Sequence, residues 1–331
     1  LAAYLDDEIT AMPNLVTVGA TGTSSAVAGI PFYRGDGNNS SIYTHDVSGT
    51  DSTAQYNTGY GITSLDAITT GDKNTAIGNA AGSALTEATD SVLVGYESGA
   101  AITTGVKNVA VGSFALDALN TGSENTAIGH QALTSDTKGG RNVAIGHGTL
   151  STQNFTSATS SYNIAVGYNA LNVNTTGPNN VAVGALALDA NTTGGTNVAV
   201  GRGSLGANTT ASNNVAIGDL SMVANTEGHS NTAIGKGSLG ANTTGTSNTA
   251  VGCDALANNT TAGANTAVGR NSLRDNTTGS DNTAVGESSL RENETGCCNA
   301  VLGENAMTLN TSGCYNTSIG SFSLHNNTTA D

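Results

Sequence analysis

A seventeen-residue segment recurs along most of this chain, and it constrains the fold more than any other feature. Successive copies read NTAVGCDALANNTTAGA, NTAVGRNSLRDNTTGSD and NTAVGESSLRENETGCC, beginning at Asn248, Asn265 and Asn282. Sixteen copies align over residues 57–331, and every step has the same length except a longer one, by four residues, from Asn142 to Asn163. A fixed period of this kind is typical of a solenoid, in which each repeat packs only on its neighbours.

The composition of the repeat predicts strands and turns, not helices. The consensus is N-[TV]-A-[VI]-G-x-x-[SA]-L-x-x-N-T-T-G-x-x, and Gly, Thr, Val and Asn all disfavour helix interiors. Positions two and four alternate with the alanine at position three, which is strand periodicity. We therefore expect a strand of four or five residues, a glycine turn, a second short strand through positions eight and nine, and a turn at NTTG. Stacked coils of this kind form an all-β parallel β-solenoid.

Position five of the repeat is glycine in all sixteen copies. A column that never accepts a side chain indicates positive φ or a close backbone approach. The structural turn glycines predicted on this basis include Gly78, Gly112, Gly146, Gly184, Gly218, Gly252, Gly286 and Gly320. Position six, by contrast, accepts any polar residue and is expected to face water.

Two columns of asparagine run along the repeats. Position one is Asn in fifteen of sixteen copies, and position twelve is Asn in every copy from Asn174 to Asn327. Identical amide side chains stacked at the spacing of adjacent coils can form hydrogen-bonded ladders. In earlier copies position twelve is apolar, which predicts a more apolar interior there; the residues are Ile68, Leu85, Ile102 and Leu119.

The large apolar residues of the repeat, at positions four and nine, provide only a thin core for one chain. Position three is alanine in twelve of sixteen copies, on the opposite face of the strand from position four. A strip of small side chains allows a second backbone to approach, so we expect a homotrimer whose association completes the core. The predicted trimer-axis residues include Ala110, Ala144, Ala182, Ala216, Ala250 and Ala284.

The segments NTAVGESSL, NVAVGRGSL and NTAIGKGSL resemble the repeat signature of the YadA-like head of trimeric autotransporter adhesins. The same units are similar to repeats in phage tail fibres. The resemblance covers residues 57–331, although the adhesin heads have a shorter repeat. It implies a left-handed parallel β-roll formed by three intertwined chains.

Composition excludes several other classes of protein. The net charge is −15 with only 11% charged residues, whereas a nucleic-acid-binding protein needs Lys and Arg to neutralise phosphates. The sequence contains no run of 18 apolar residues, so it predicts no membrane span. The chain has no GxSxG, HExxH or P-loop motif and no CxxC pair, so we expect no enzymatic activity, no cofactor and no metal.

Residues 1–56 lie outside the register and form a cap or attachment region; the alternative is a flexible leading segment. The tripeptide Arg34 to Asp36 matches an integrin-binding motif, but a turn at residues 35–38 explains it better.

The longer step in the register places an insertion loop at residues 151–162. Insertions in solenoids lie on one face and often form the binding surface. The residues proposed to bind there are Gln153, Asn154, Phe155 and Thr156. A tolerated surface bulge is the alternative.

Three further features each have a functional and a purely structural interpretation. Cys297 and Cys314 are one repeat length apart and therefore adjacent in one column, either as a disulfide or as free thiols. His130 and His147 share the exposed sixth column, as a weak metal site or as solvated side chains. The Asn-x-Ser/Thr sequons at position twelve are glycan acceptors or turn residues.

Taken together, the patterns favour a structural shaft of an extracellular or virion-surface fibre or adhesin. It would project and display a region that binds an unidentified host receptor or glycan, and rods could also join end to end. The recurrent threonines leave open an ice-binding solenoid, and a polysaccharide-active solenoid enzyme is the third alternative.

Overall fold

The chain is described by a computed structural model covering residues 25–27, 30–34, 41–44, 51 and 53–330. These residues form an all-β parallel solenoid of about sixteen turns that repeats the sequence period, and they contain no helix. Contacts divide the chain into two compact units. Unit 1 extends to Arg141 and includes Phe155–Ser160, and unit 2 comprises Asn142–Asn154 and the residues from Ser161 onward.

In unit 1, β3 to β8 pair in parallel, so that residues in the same column of the repeat lie opposite each other. Before them, β1 and β2 form an antiparallel pair, and β2 is also antiparallel to β3. The strands of the described part of unit 1 are β1 (Ser25–Val27), β2 (Ile30–Arg34), β3 (Ile42–Tyr43), β4 (Thr58–Tyr60), β5 (Thr75–Ile77), β6 (Val92–Val94), β7 (Val109–Val111), β8 (Thr126–Ile128), β9 (Gly139–Gly140) and β11 (Thr159–Ser160).

Unit 2 is also a parallel stack, and residues in the same column of the repeat lie opposite each other. The longer step from Asn142 to Asn163 does not break this register, because Ala144 lies opposite Ala165. The strands of its described part are β10 (Val143–Ile145), β12 (Ile164–Val166), β13 (Val181–Val183), β14 (Val198–Val200), β15 (Val215–Ile217), β16 (Thr232–Ile234), β17 (Thr249–Val251), β18 (Thr266–Val268), β19 (Thr283–Val285), β20 (Ala300–Leu302) and β21 (Thr317–Ile319).

The prediction of a second strand in each coil is wrong. Positions six to eleven form a turn in which positions seven and nine adopt left-handed backbone conformations, as at Asp254 (φ 54°) and Leu256 (φ 51°). Hydrogen bonds to the next coil continue through this turn, since the Leu256 N–H donates to the Ser272 carbonyl at 3.0 Å. The remaining strand is also shorter than expected, as at Thr249–Val251.

The prediction that the alanine strip lies on a trimer axis is also wrong. Every alanine at position three points into its own coil and is completely buried within one chain, so none is available to a second chain. This holds for Ala110, Ala144, Ala182, Ala216, Ala250 and Ala284. The coil interior is narrow: leucine occurs at this position only where position nine is glycine, whereas the smaller Val301 is buried in a coil that keeps Met307 at position nine.

One such exchange explains the two copies that lack a large residue at position nine. Those copies carry Gly82 and Gly99, and Leu93 replaces the alanine at position three between them. A Cβ atom on Gly82 would lie 2.6 Å from the Leu93 side chain, and one on Gly99 would lie 2.8 Å from it. Leu93 therefore fills the volume that both glycines leave empty.

Positions two and four face outward, and we call these two columns the apolar face. The branched side chains at position four are partly exposed, for example 37% at Ile217 and 39% at Ile234. Neither column contains a charged residue in any of the sixteen copies. The coil interior therefore receives only one large apolar side chain from most coils, the Leu or Met at position nine.

Both asparagine columns form the predicted ladders. At position one, the Asn265 backbone N–H donates to the Asn248 side-chain oxygen at 3.1 Å, and Asn265 Nδ2 donates to the Gly279 carbonyl at 2.9 Å. At position twelve, Asn276 Nδ2 donates to Asn259 Oδ1 and to the same Gly279 carbonyl, both at 2.9 Å. Each amide thus closes its own coil and joins it to the next.

In unit 1 the apolar residues predicted at position twelve occupy the place of the second ladder. All four are completely buried, which confirms the expected change in the interior; they are Ile68, Leu85, Ile102 and Leu119.

The turn glycines have the expected backbone conformation. Their φ angles lie between +115° and +139° at Gly78, Gly112, Gly146, Gly184, Gly218, Gly252, Gly286 and Gly320. A Cβ atom on Gly252 would lie 2.5 Å from the Gly269 carbonyl oxygen of the next coil. Both predicted reasons for glycine, positive φ and close approach, therefore apply at this position.

The solenoid register begins one coil earlier than residue 57. β3 pairs in parallel with β4, Ser41 Oγ accepts from the Asn57 N–H at 2.9 Å, and Tyr43 occupies the interior position. Serine here takes the place of the ladder asparagine. The cap or attachment role of the preceding residues stays a prediction, and the turn predicted at residues 35–38 lies outside the described residues.

Gly252→Ala is predicted to lower the free energy of unfolding by at least about 3 kcal/mol, because alanine is strained at this φ and its Cβ would push the next coil away. Chemical denaturation measures the change. Gly206→Ala is the matched control, since alanine occupies the same column at Ala100 and Ala257 and the backbone conformation is ordinary. Equal losses in the two variants would contradict the close-approach explanation.

Asn242→Leu is predicted to cost about 2–4 kcal/mol of unfolding free energy, although leucine fits this column in unit 1. The substitution removes three buried hydrogen bonds: it takes the partner of Asn225 Oδ1 away and leaves Asn259 Nδ2 and the Gly245 carbonyl with one bond fewer each. Asn258→Leu, at the exposed neighbouring position, should change stability by less than about 0.5 kcal/mol. A comparable loss at Asn258 would show that the ladder is not the cause.

Candidate functional site

The insertion widens one turn of the solenoid in unit 1. β9 and β11 pair in parallel there, with Thr159 opposite Gly139 and Ser160 opposite Gly140. Among the described residues, no other coil forms a strand at this turn. The irregular part of the repeat is therefore an ordered local structure.

Asp136 positions the inserted segment. It occupies position twelve of its coil and is completely buried. Its Oδ1 accepts backbone N–H bonds from Lys138 at 3.3 Å, Gly139 at 2.9 Å and Phe155 at 3.2 Å. A side chain on Gly139 would collide with the carboxylate, since its Cβ would lie 2.0 Å from Asp136 Oδ2. The sequence therefore needs both Asp136 and Gly139 to shape this turn.

Two of the four residues predicted to bind through the insertion loop are buried and cannot do so. Gln153 is completely buried and replaces a ladder asparagine, accepting from Asn163 Nδ2 at 2.7 Å and from Asn174 Nδ2 at 3.4 Å. Phe155 is only 7% exposed. The large apolar ring is thus part of the packing of its own unit. Asn154 and Thr156 are exposed, and a binding role for them stays a prediction.

A shallow cavity of about 210 Å³ lies beside the paired strands β9 and β11. Its lining is rich in hydroxyl groups and contains three charged side chains but no large apolar residue. The lining residues are Thr121, Gly122, Ser123, Glu124, Lys138, Gly140, Arg141, Ala158, Thr159 and Ser160. All of them belong to unit 1. Sequence reasoning placed the binding surface on residues 153–156 and missed this cavity.

Arg141 is held across the rim of the cavity. Its Nε donates to Glu124 Oε2 at 2.8 Å, and its Nη1 donates to Ser160 Oγ at 2.6 Å. The hydrogen bond and charge of Arg141 hold the pKa of Glu124 below its usual range. The guanidinium therefore links a regular coil to the inserted segment and is already paired with a carboxylate.

Lys138 is the cation of the cavity that has no ion pair among the described residues. It is exposed, and no carboxylate of that part of the chain lies within 4.0 Å of its ammonium group. Lys138 occupies position fourteen, where the other copies of regular length carry Thr, Ser or Glu. This departure from the consensus is the sequence signal that could have drawn attention to it.

Cys297 and Cys314 lie in one column of unit 2, as predicted. Their Sγ atoms are 2.9 Å apart, longer than the roughly 2.05 Å of a disulfide, so each is a thiol and no disulfide joins them in the structure. The thiol hydrogen bond to Cys314, together with partial desolvation, raises the pKa of Cys297 to about 12. Cys297 is therefore protonated near neutral pH, and the thiol interpretation describes the structure.

The two histidines of the sixth column pack on aromatic rings. In unit 1, His130 meets Phe114 edge to face with ring centroids 6.2 Å apart, and in unit 2 His147 stacks on Tyr168 at 5.5 Å. Within the part of the chain that the structure describes, no group of three or more His, Cys, Asp or Glu side chains could hold a metal ion.

None of the described residues belongs to a helix long and apolar enough to cross a membrane. No model of a known protein family matches the chain, and no curated protein matches it. The features of the chain that bear on function are therefore the apolar face, the cavity and the repeat itself.

Mild oxidation with diamide is predicted to join Cys297 to Cys314, because the two sulfur atoms are already in contact. The thiols would lose two protons and two electrons to diamide, and one S–S bond would link adjacent coils. Peptide mapping without reductant should find this link in the wild type and not in Cys314→Ser. A link from Cys297 to Cys253 in place of Cys314 would contradict the column geometry.

Proposed function

We propose that the chain is the shaft of an extracellular or virion-surface fibre or adhesin, assembled as a homotrimer of left-handed rolls. The observation that carries the proposal is the apolar face, which repeats in every coil and carries no charge in a molecule with a net charge of −15. Apolar surface in a continuous array of this kind marks an interaction site.

A second copy of the same chain is the partner that fits this face best. The valine, isoleucine and threonine side chains recur once per coil, at the separation of about 4.8 Å between paired strands. Another copy presents the same side chains at the same spacing, so contacts made at one coil recur at the next. An unrelated partner would need its own matching repeat.

The number of chains comes from the resemblance of the repeat to YadA-like heads, which are trimeric. Burying the apolar face would add the large side chains at position four to a core to which one chain contributes little. In this assembly the chains contact each other through positions two and four, and not through the alanine strip at position three.

Mechanical stiffness is the property that the internal structure supports. In the regular coils the strand, the left-handed turn and both amide columns form hydrogen bonds with an adjacent coil, as Thr266, Leu256 and Asn276 show. A solenoid built in this way can project a binding region from a surface.

The ice-binding alternative receives less support. It relied partly on paired threonines at positions thirteen and fourteen, but the position-thirteen hydroxyls bond to the next coil. Thr175 Oγ1 donates to the Thr192 carbonyl at 2.9 Å, and Thr192 Oγ1 donates to the Thr209 carbonyl at 3.0 Å. These hydroxyls serve the solenoid instead of organising water.

Light scattering on the purified chain is predicted to give a mass of three times 32.6 kDa. Ile234→Glu would place a carboxylate in the middle of the apolar face and should reduce the mass to that of one chain, with an unchanged circular dichroism spectrum. Thr244→Glu is the matched control, because position fourteen already carries Glu87 and Glu227, and it should remain trimeric.

A monomeric wild type would contradict the proposed assembly. A trimer that persists in Ile234→Glu would show that another surface forms the interface.

A further inference from the structure

We propose that the cavity beside β9 and β11 binds a single acidic sugar, with its carboxylate on Lys138 and its hydroxyl groups on the surrounding Thr and Ser side chains. The proposal names a ligand class for the display surface of the proposed fibre, and its biological meaning rests on that function. Binding itself requires only unit 1.

The size of the cavity limits the ligand. Pockets for drug-sized molecules have volumes of roughly 300–1,000 Å³, and this cavity has about 210 Å³. One sugar ring or a smaller molecule fits that space. The cavity is also open to solvent, so a sugar at the end of a glycan could enter while the rest of the glycan stays outside.

The lining favours a ligand with many hydroxyl groups. Thr121, Ser123, Thr159 and Ser160 contribute hydroxyls, and glycines leave backbone accessible between them. A hydroxyl group can donate one hydrogen bond and accept others, which matches the chemistry of sugar hydroxyls. Ala158 is the one apolar side chain of the lining, so an apolar ligand would gain little here.

The charges favour one negative group on the ligand. Arg141 is occupied by Glu124 and Ser160, whereas Lys138 is exposed and has no carboxylate partner in the described residues. A ligand carboxylate can pair with the Lys138 ammonium by a charge-assisted hydrogen bond. Glu124 at the rim disfavours a ligand with a second negative charge beside it.

This location is also the place where the repeat is irregular. At this turn the other coils of regular length have no strand among the described residues and carry Thr, Ser or Glu at position fourteen, although their exposed side chains differ at position six. Residues 155–160 of the insertion and Lys138 at position fourteen make this turn different. A ligand held here meets groups that the other coils do not repeat at this turn.

Titration of the full chain with glucuronate and with N-acetylneuraminate, followed by saturation-transfer NMR, tests the inference. We expect saturable binding of at least one of the two acids in the millimolar range. Glucose, which lacks the carboxylate, and acetate, which lacks the sugar hydroxyl groups, should bind at least tenfold more weakly. Binding of glucose or acetate equal to that of the acids, or no binding of either acid, would overturn the proposal.

Three variants locate the site. Lys138→Gln should weaken binding at least tenfold, and Ala158→Trp should abolish it by filling the cavity. Lys236→Gln removes an exposed lysine of unit 2 that does not line the cavity, and it should leave binding unchanged. An equal loss in Lys236→Gln, or unchanged binding in Lys138→Gln, would refute a role for the cavity. Repeating the titration on Ile234→Glu separates the two proposals, because sugar binding that persists in a monomer leaves this inference intact.

Discussion

The fold depends on the hydrogen bond between an asparagine side chain and the next coil. Most coils enclose one alanine, one other small residue and one leucine or methionine, which is too little apolar volume to hold the coil together. The amides at positions one and twelve fill the remaining interior and converge on one carbonyl, as Asn265 and Asn276 do on Gly279. Removing a partner from such a network leaves buried polar groups unpaired, which costs more than one bond contributes.

The close spacing of coils that these ladders require also explains the glycines. The carbonyl of Gly269 would lie 2.5 Å from a Cβ atom on Gly252, so the coils could not approach to hydrogen-bonding distance if position five carried a side chain. Leu93 shows the same limit inside the coil, where one larger side chain requires Gly82 and Gly99 beside it. Packing inside the coils and hydrogen bonding between them therefore impose the same constraint on the sequence, namely small residues at these positions.

Column patterns predicted the solenoid, the amide ladders and the turn glycines because each pattern recurs in at least ten of the sixteen copies, so local exceptions do not obscure it. The same columns did not reveal which side of the strand faces inward. Large aliphatic residues at position four suggested a core, yet the narrow coil takes the alanine of position three into its interior and leaves Ile234 partly exposed. The left-handed turn was also missed, although Asp254, Asn271 and Asn305 at position seven are residue types that favour that conformation.

The candidate site was located only approximately, because it is a departure from the repeat and has no other copy for comparison. An aromatic residue in an insertion suggested an exposed contact, but Phe155 is buried and its backbone is bound by Asp136. The residues that line the cavity come from three successive coils, so no local segment of sequence contains the site. Lys138 in a threonine column was the one signal of it.

Hydrogen exchange of the asparagine side-chain amides, followed by NMR, tests the central role of the ladders most directly. The Nδ2 protons of Asn242, Asn259 and Asn276 are predicted to exchange as slowly as the backbone amides of β16 to β18, whereas those of the exposed Asn258 should exchange rapidly. Equally fast exchange at buried and exposed asparagines would show that the ladders do not hold the coils together.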